Sequence, residues 1–454
     1  MTLRIGFLFP SSDYLHDPFR GDPHTHFQIL TVLEARFGAQ VSLELIDLRG
    51  IQRPFAIRHI PECDLFLQSV YTLDWDEQVS LVKGLRRAYP KALHIAGGPH
   101  ASVYREQTLA VFDSLVLGEA EQSIVSLVET VLAGGRPERI YRMMAPVDLD
   151  AYPFPRRHWL PKAAIARRNM MTLRHERMDR LVATTAIFSR GCPGQCAFCA
   201  MPAVRGDGAP GLRYRAPHLI EEEIEYLKRD YGIEGLNLLD EIGIPPRVSR
   251  AIPHLEAIGR TGIKWRGQIR VDGLTRDVAR LARQSGCTAL GMGVESVWQP
   301  SLDLIRKQIS VEQARRTIGL LKEVGIEPRI YMILGLPGEP PDIVERTWEF
   351  IQETGPDLVI LSLFTVRPGT EIADDPARFG IARVEGDWRK TMHMYGRYAD
   401  ETPSLTFDYA PEGPLGPSLS SRQIVENYRE LQRRLREAGL SALPYYDEDE
   451  EAAA

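Results

Sequence analysis

The sequence predicts an α/β protein: an N-terminal doubly wound parallel sheet, then a partial (βα)6 barrel, then a small C-terminal helical segment. Three observations predict it. Short apolar runs alternate with helical runs from residue 1 to about 135, and again from Val182 to about Thr365. That is the pattern of parallel strands joined by crossover helices. Turns rich in glycine and polar residues recur where those apolar runs end. The length, 454 residues, is more than one core usually holds and suits two domains.

In the first series the strand candidates are Leu3 to Pro10, Val41 to Leu48, Leu65 to Val70, Ala92 to Ala96 and Leu115 to Leu117. Helical patterns such as Asp76 to Tyr89 and Gln122 to Ala133 lie between or after them. Ligands of such sheets bind beyond the carboxyl ends of the strands. Those ends read Pro10-Ser11-Ser12-Asp13, Gln68-Ser69-Val70-Tyr71-Thr72, Gly97-Gly98-Pro99-His100-Ala101-Ser102 and Gly118-Glu119-Ala120-Glu121. Glycines there let the backbone approach a large flat or phosphate-bearing ligand. His100 reads equally well as a loop residue bonded to backbone and as a cofactor contact.

Residues 136–180 read as a linker, because Asp148-Leu149-Asp150-Ala151-Tyr152-Pro153-Phe154-Pro155 cannot lie inside a helix. Basic residues gather through Arg156, Arg157, Arg167, Arg168 and Arg174, a run whose first reading is a solvated face. The second series offers strands at Val182–Ser189, Gly235–Leu239, Lys264–Val271, Thr288–Val294, Ile326–Leu336 and Leu358–Thr365. Helical runs separate them, among them Ile220–Asp230, Val278–Gln284, Val311–Val324 and Ile343–Glu353, and Ser310 with Gln313 fits a capping box. Six repeats with right-handed crossovers make a partial barrel whose site lies at the carboxyl ends of its strands.

After about residue 375 the periodicity fades into an aromatic segment with Trp388, His393, Tyr395, Tyr398, Phe407 and Tyr409. Such a segment is first of all core; part of it is expected to cover the open barrel mouth and keep water out. A helix over Ser421 to Gly439 and an acidic tail, Asp447 to Glu451, follow.

Directly after the first barrel strand stands Ser189-Arg190-Gly191-Cys192-Pro193-Gly194-Gln195-Cys196-Ala197-Phe198-Cys199, three cysteines spaced C-x3-C-x2-C. Thiolates are soft ligands for iron–sulfur clusters or zinc. A structural zinc site closes with four ligands, and the chain has no second C-x2-C or H-x3-H pair. Three cysteines on a four-iron cluster leave one iron open for chemistry. Cys63 and Cys287 stand alone beside apolar runs and read as buried small hydrophobes.

This cysteine spacing, with an aromatic residue before the last cysteine, resembles the signature of the radical S-adenosylmethionine enzymes. The resemblance implies a [4Fe-4S] cluster on Cys192, Cys196 and Cys199, with S-adenosylmethionine on the fourth iron and Phe198 beside it. It places Asp240 and Glu241, at the end of the second barrel strand, near the cofactor amine or the substrate, available as acid and base, with a helix N-cap before Pro245 as the other reading. Arg270 would meet the methionyl carboxylate as a bidentate donor. Gly291-Met292-Gly293-Val294-Glu295-Ser296 resembles the family's GVES segment, which brings Glu295 and Ser296 to the cofactor. The family continues that segment with Gly-Ser, where this chain has Val297 and Trp298. Gly335, Leu336 and Pro337, in a GLPGE turn, would face the adenine edge, and Thr365 to Thr370 matches the turn after the sixth strand.

The GGPHAS and GEAE turns resemble those of the B12-binding-like domain that precedes many radical S-adenosylmethionine cores. The implied layout is a cobalamin-binding-type domain over 1–135, a linker over 136–180, the radical core over 181–375, and a cover segment, helix and tail over 376–454. Cobalamin is an optional third cofactor, since the D-x-H-x-x-G motif is lacking. The chain is also similar to radical dehydratases of aminoglycoside biosynthesis. That implies hydrogen abstraction from an aminosugar such as paromamine and loss of water, with cobalamin-dependent C-methylation as the alternative. A flavodoxin or ferredoxin would supply electrons and a separate NAD(P)H reductase would complete deoxygenation.

Composition narrows the partners further. The formal net charge is -6, which gives no basic field for nucleic acid. The sequence holds no run of eighteen apolar residues and opens directly into a strand-like run, so neither a membrane span nor a secretory signal is expected. Five cysteines, three of them clustered, suit a reducing cytoplasm.

Overall fold

The apolar runs of the N-terminal half become six parallel strands: β1 (Leu3–Phe9), β2 (Val41–Asp47), β3 (Leu65–Ser69), β4 (Leu93–Gly97), β5 (Ser114–Leu117) and β6 (Ile140–Arg142). The computed structural model describes residues 2–12, 18–19, 21–143, 146–168, 170–171, 178, 180–201, 211–386 and 405–441. Asp13, Arg174, Trp388, His393, Tyr395, Tyr398 and the acidic run 447–451 lie outside the described residues. Contacts divide the chain into two compact units, one running Met1–Ile165, the other holding Ala166–Cys199 and Gly211–Ala454.

In the first unit the sheet order is β2-β1-β3-β4-β5-β6. The chain steps from β1 to β2 on one side and then to β3 on the other, so the connections diverge between β1 and β3. Helices α1 (His24–Phe37), α2 (Trp75–Ala88), the short α3 (Gly98–Val103) and α4 (Glu121–Leu132) supply the crossovers. Leu8, Ile46, Leu48 and Phe66 of the sheet side pack with Leu81 and Leu85 of α2 in one apolar cluster. The stretch expected as a linker contributes β6, which pairs with β5 from Leu115↔Ile140 to Leu117↔Arg142. Arg157, expected on a solvated face, is fully buried. Its charge is met by Asp22 at 3.3 Å, and its guanidinium lies 5.7 Å from the Phe27 ring centre.

The second unit holds β7 (Ala183–Ala186), β8 (Gly235–Leu238), β9 (Lys264–Ile269), β10 (Cys287–Glu295), β11 (Glu327–Leu334) and β12 (Leu358–Leu363), all parallel and in sequential order. The sheet curls into a half-barrel. Its outer face is covered by α5 (Pro217–Tyr231), α6 (Val248–Arg260), α7 (Arg276–Gln284), α9 (Val311–Glu323) and α10 (Ile343–Thr354), while the short α8 (Gln299–Leu304) lies at the carboxyl ends of the strands, where Ser301 Oγ donates to Pro337 O. Alternation along β9, β11 and β12 sorts the side chains. Trp265, Ile269, Ile330, Met332, Val359 and Leu361 are buried, while Arg266, Gln268, Arg329, Tyr331, Ile360 and Ser362 are partly exposed on the concave face. Helix α9 begins as expected: Ser310 Oγ accepts from Gln313 N at 3.1 Å, and Ser310 N donates to Gln313 Oε1 at 2.7 Å.

Helix α11 (Ser421–Glu437) buries Ile424, Leu431 and Leu435 against α10, β11 and β12. Beyond it Val359 N donates to Leu440 O at 2.9 Å, so the chain runs parallel to the outer edge of β12. Phe407 and Tyr409, from the aromatic segment, sit at the carboxyl end of the half-barrel. The Phe407 ring is 5.2 Å from Phe364, and Tyr409 OH donates to Gly335 O at 2.8 Å.

Candidate active site

The expected strand Val182–Ser189 stops at Ala186 because the next amides have another acceptor. Phe188 N donates to Asp240 Oδ1 at 2.9 Å and Ser189 N donates to the same oxygen. Ser189–Arg190 then pairs antiparallel with Arg213–Tyr214. Ser189 Oγ and Tyr214 OH both donate to Ile242 O, at 3.2 and 2.7 Å. Gly191 N donates to Glu241 Oε2 at 3.2 Å. The segment after β8 thus grips the root of the cysteine loop. Asp240 is 1% exposed, and burial pushes its carboxyl up to about 7 against the donors that favour ionisation. Of the expected acid–base pair, Glu241 alone is partly exposed.

The tip of the loop is pinned on two sides. Ala197 N donates to Ile305 O at 2.8 Å, and Ile372 N, beyond β12, donates to Ala197 O at 3.2 Å. Cys192, Cys196 and Cys199 are free and partly exposed, and Phe198 beside them is partly exposed as well. Gly194 N donates to Cys192 Sγ at 3.4 Å. A Cβ on Gly194 would stand 2.8 Å from Arg270 Nη1 and 3.3 Å from Cys192 Sγ. This glycine therefore lets the guanidinium approach the loop. The other edge of Arg270 faces Asp272, with Nε and Nη2 donating to its two oxygens at 2.9 and 3.1 Å. The fork expected for a methionyl carboxylate is thus held by Asp272, and Nη1 points to the loop. Burial pushes the Cys196 thiol up, and Lys307 and Arg270 oppose that shift.

Lys307 carries no motif in the sequence. Its Nζ donates to Glu295 Oε1 at 2.6 Å in a nearly buried ion pair. The backbone is contorted to make this pair: Glu295, Arg306 and Gln308 have φ of 67°, 54° and 58°, a region costly for residues with a Cβ. The β10–β11 register also slips between Gly293 and Glu295, and a bulge of this kind re-aims a side chain. A Cβ on Gly293 would stand 2.1 Å from Glu295 Oε1 and 2.8 Å from Lys307 Nζ.

Ser296 is buried, and its Oγ donates to Glu339 Oε1 at 3.0 Å. Gly335 N donates to Glu339 Oε2 at 2.8 Å, Gly335 O accepts from Tyr409 OH, and Pro337 O accepts from Ser301 Oγ at 2.7 Å. Leu336 is 1% exposed. Gly335 N, Gly335 O and Pro337 O, in the GLPGE turn named for an adenine edge, are thus met by the protein's own side chains.

The concave wall below this rim is polar. Asn237 of β8 stands opposite Arg266 of β9, whose Nε donates to Asn237 Oδ1 at 3.0 Å. Gln268 stands opposite Gly291, Arg329 beyond it, and Tyr331 opposite Gly293 and Ile360. Arg329 pairs with Glu327 at 3.6 Å.

The strand ends of the first unit carry their own polar contacts. Ser11 N and Oγ both donate to the buried Glu77 carboxylate at 2.7 Å, and Arg53 adds its charge at 3.5 Å. His100 is fully buried; it stacks 4.4 Å from Trp75 and its Nδ1 lies 3.2 Å from Thr72 Oγ1. Burial lowers the imidazole to about 4. A Cβ on Gly98 would come within 2.9 Å of Val70 N and O, so this glycine serves the close pass of α3 over β3.

The thiol set can be tested against its expected occupant. No three His, Cys, Asp or Glu among the described residues gather as one metal ion requires. A tetrahedral zinc ion, with sulfurs at about 2.3 Å, holds its thiolates about 4 Å apart. A cubane cluster places a separate iron under each thiolate and spreads them wider. Three free, partly exposed soft thiols on one short loop suit a [4Fe-4S] cluster, with Cys192, Cys196 and Cys199 as the residues that would hold it.

Comparison with known proteins agrees with this geometry. The model of the radical SAM superfamily matches residues 186–351, most of the half-barrel. The anaerobic magnesium-protoporphyrin IX monomethyl ester cyclase of Rubrivivax gelatinosus is 27% identical over 392 residues, covering 81% of this chain and 64% of its own length. The chain thus spans just under two thirds of that relative. The radical S-adenosylmethionine methyltransferase TsrM from Kitasatospora setae, solved with cobalamin and a [4Fe-4S] cluster, is similar with a TM-score of 0.64 and 16% identity, covering 84% of this chain and 76% of that one. The cobalamin-dependent S-adenosylmethionine radical enzyme OxsB has a TM-score of 0.67 and 14% identity, covering 96% and 67%. These likenesses show a two-part α/β fold shared with proteins that bind a corrinoid. No helix among the described residues is long and apolar enough to cross a membrane.

Proposed function

We propose that this chain is a radical S-adenosylmethionine enzyme that dehydrates a small hydroxylated molecule, with an aminosugar such as paromamine as its substrate class. The observation that carries this reading is one sheet bearing three free thiols at its carboxyl end and a hydrogen-bonding concave wall below them. When bound, the cluster and S-adenosylmethionine supply a carbon-centred radical that removes a hydrogen atom from the substrate. Arg270 Nη1, Phe198 and the Glu295–Lys307 pair border the cofactor, while Ser296 and Glu339 hold the turn that shapes its far side. Asn237, Gln268, Tyr331 and Ser362 offer donors and acceptors to hydroxyls and fix which C–H faces the radical. Asp240 and Glu241 both hold the root of the cysteine loop, Asp240 through the amides of Phe188 and Ser189 and Glu241 through Gly191 N. Electrons come from a flavodoxin or ferredoxin, and a separate NAD(P)H reductase completes deoxygenation.

A second reading, cobalamin-dependent methyl transfer, is favoured by the likeness of the chain's fold to a methyltransferase solved with cobalamin. Anaerobic reconstitution with iron and sulfide, then turnover of paromamine with hydroxocobalamin added or omitted, separates the two. Loss of one water with 5′-deoxyadenosine formed and no need for cobalamin supports dehydration. Gain of one methyl group, seen only with cobalamin, replaces it with methyl transfer.

A further inference from the structure

Tyr331 is the titratable group of the concave wall that neither the cysteine loop nor the rim contacts employ. Its ring lies across β10: a Cβ on Gly291 would stand 2.5 Å from the Tyr331 hydroxyl and 2.8 Å from Cε2. Gly291 therefore exists to admit this ring, and any side chain there would displace it. The residue is partly exposed on the concave side, and its hydroxyl makes no hydrogen bond with a described residue. Burial raises the phenol, while Arg266 and Arg329 both act to stabilise its ionised form. Arg266 is aimed by Asn237 Oδ1 at 3.0 Å and Arg329 by Glu327 at 3.6 Å. The other wall groups are less suited to moving a proton. Asn237, Gln268 and Ser362 do not titrate near neutral pH, and the Glu327 carboxylate is committed to Arg329.

We propose that Tyr331 contacts the substrate and carries the proton that dehydration moves, an assignment that rests on the dehydration reading above. A hydroxyl leaves a diol as water, so its C–O bond breaks as an O–H bond forms, and the phenol supplies that proton. The hydroxyl on the adjacent radical carbon loses its proton as its oxygen becomes a carbonyl, and the phenolate takes it. One water departs, the phenol is restored, and the unpaired electron stays on the substrate. Two guanidiniums beside the phenolate stabilise the intervening state.

Tyr331→Phe tests this, because the ring stays over Gly291 and only the oxygen is lost. With paromamine, the variant should keep wild-type iron content and 5′-deoxyadenosine formation, while the dehydrated product falls by about 100-fold or more. Product at the wild-type level overturns the assignment. So does an equal loss of deoxyadenosine, which would make the phenol a support of the cofactor. Absence of dehydration by the wild type, with an intact cluster, sinks the functional reading and the proton role with it. A readout independent of the cluster is Tyr331→3-fluorotyrosine in iron-free protein. Its fluorine NMR signal should move when paromamine is added, and an unmoved signal overturns the contact.

Discussion

Ser296 and Glu339, 43 residues apart, meet beneath the barrel mouth, where Ser296 Oγ donates to Glu339 Oε1 at 3.0 Å. Gly335 N donates to the other oxygen at 2.8 Å. The turn after β10 and the turn after β11 are thereby fastened through one carboxyl that is 3% exposed. Tyr409 OH on Gly335 O ties the C-terminal segment to the same point. Rim geometry at two strand ends therefore depends on a single buried acid.

That acid makes stability depend on pH. Burial raises Glu339 from 4.5 to about 8, against the backbone and Ser296 donors that favour its ionised form. The unfolded chain releases this proton near about 4.3, while the folded chain keeps it to about 8. The folded state binds more protons through that window, so the stabilisation is complete below it and is lost as pH rises across it. The slope is up to about 1.4 kcal/mol per pH unit for one group. Glu339→Gln, which keeps a carbonyl acceptor and cannot ionise, should flatten the dependence. Thermal unfolding of both proteins across the window measures the difference; equal slopes would remove Glu339 as its source.

Asp240 should behave as an anchor. Asp240→Ala leaves the buried amides of Phe188 and Ser189 without their acceptor, at a cost of about 1–3 kcal/mol each. It should lower the melting temperature and the iron retained after reconstitution. Asp240→Asn keeps an acceptor oxygen and should hold iron and product yield near wild type. An Asn variant with full iron and product down about 100-fold would return Asp240 to proton transfer.

What was legible in the sequence was what local signals encode. Short apolar runs separated by helical runs mark the six barrel strands, and Ser310 with Gln313 marks the start of α9, because each needs only near neighbours. The cysteine loop is placed after the first barrel strand because it directly follows the apolar run Val182–Ser189. Arg157 was misjudged because its partner, Asp22, lies 135 residues away. Lys307 was missed because no residue type announces a positive φ at Arg306 and Gln308. The glycines at 291 and 293 enter the sequence reading only as part of the segment that resembles GVES. They are gaps for Tyr331 and for the Glu295–Lys307 pair, and a gap shows its purpose only once the facing side chain is placed. Tyr331, in turn, carried no motif that could have marked it.

Gly293→Ala tests the second of those gaps. The new methyl would overlap Glu295 Oε1 at 2.1 Å and crowd Lys307 Nζ at 2.8 Å. Glu295 must move, since its φ of 67° is held by the bulge. The strain should cost about 1–3 kcal/mol and break the ion pair without unfolding the sheet. Affinity for S-adenosylmethionine, measured by calorimetry on the reconstituted protein, should fall at least about tenfold, or about 1.4 kcal/mol. Unchanged affinity would place Glu295 away from the cofactor.

Gly194→Ala tests the approach of Arg270 to the thiols. The methyl would stand 2.8 Å from Arg270 Nη1 and 3.3 Å from Cys192 Sγ. Arg270 cannot swing aside without giving up both bonds to Asp272 and the 3.5 Å contact from Nη2 to Lys307 O, and a bidentate pair resists such rotation. The loop must therefore open, and iron and sulfide content after reconstitution should drop below the wild type. Removing the obstruction separates the two effects. Gly194→Ala combined with Arg270→Gln should regain iron, because a shorter neutral side chain leaves the methyl room. It should still bind S-adenosylmethionine more weakly than the wild type, because the cation facing the loop is gone. Iron that stays low in the double variant would mean that Gly194 serves the loop's own backbone and not the passage of Arg270.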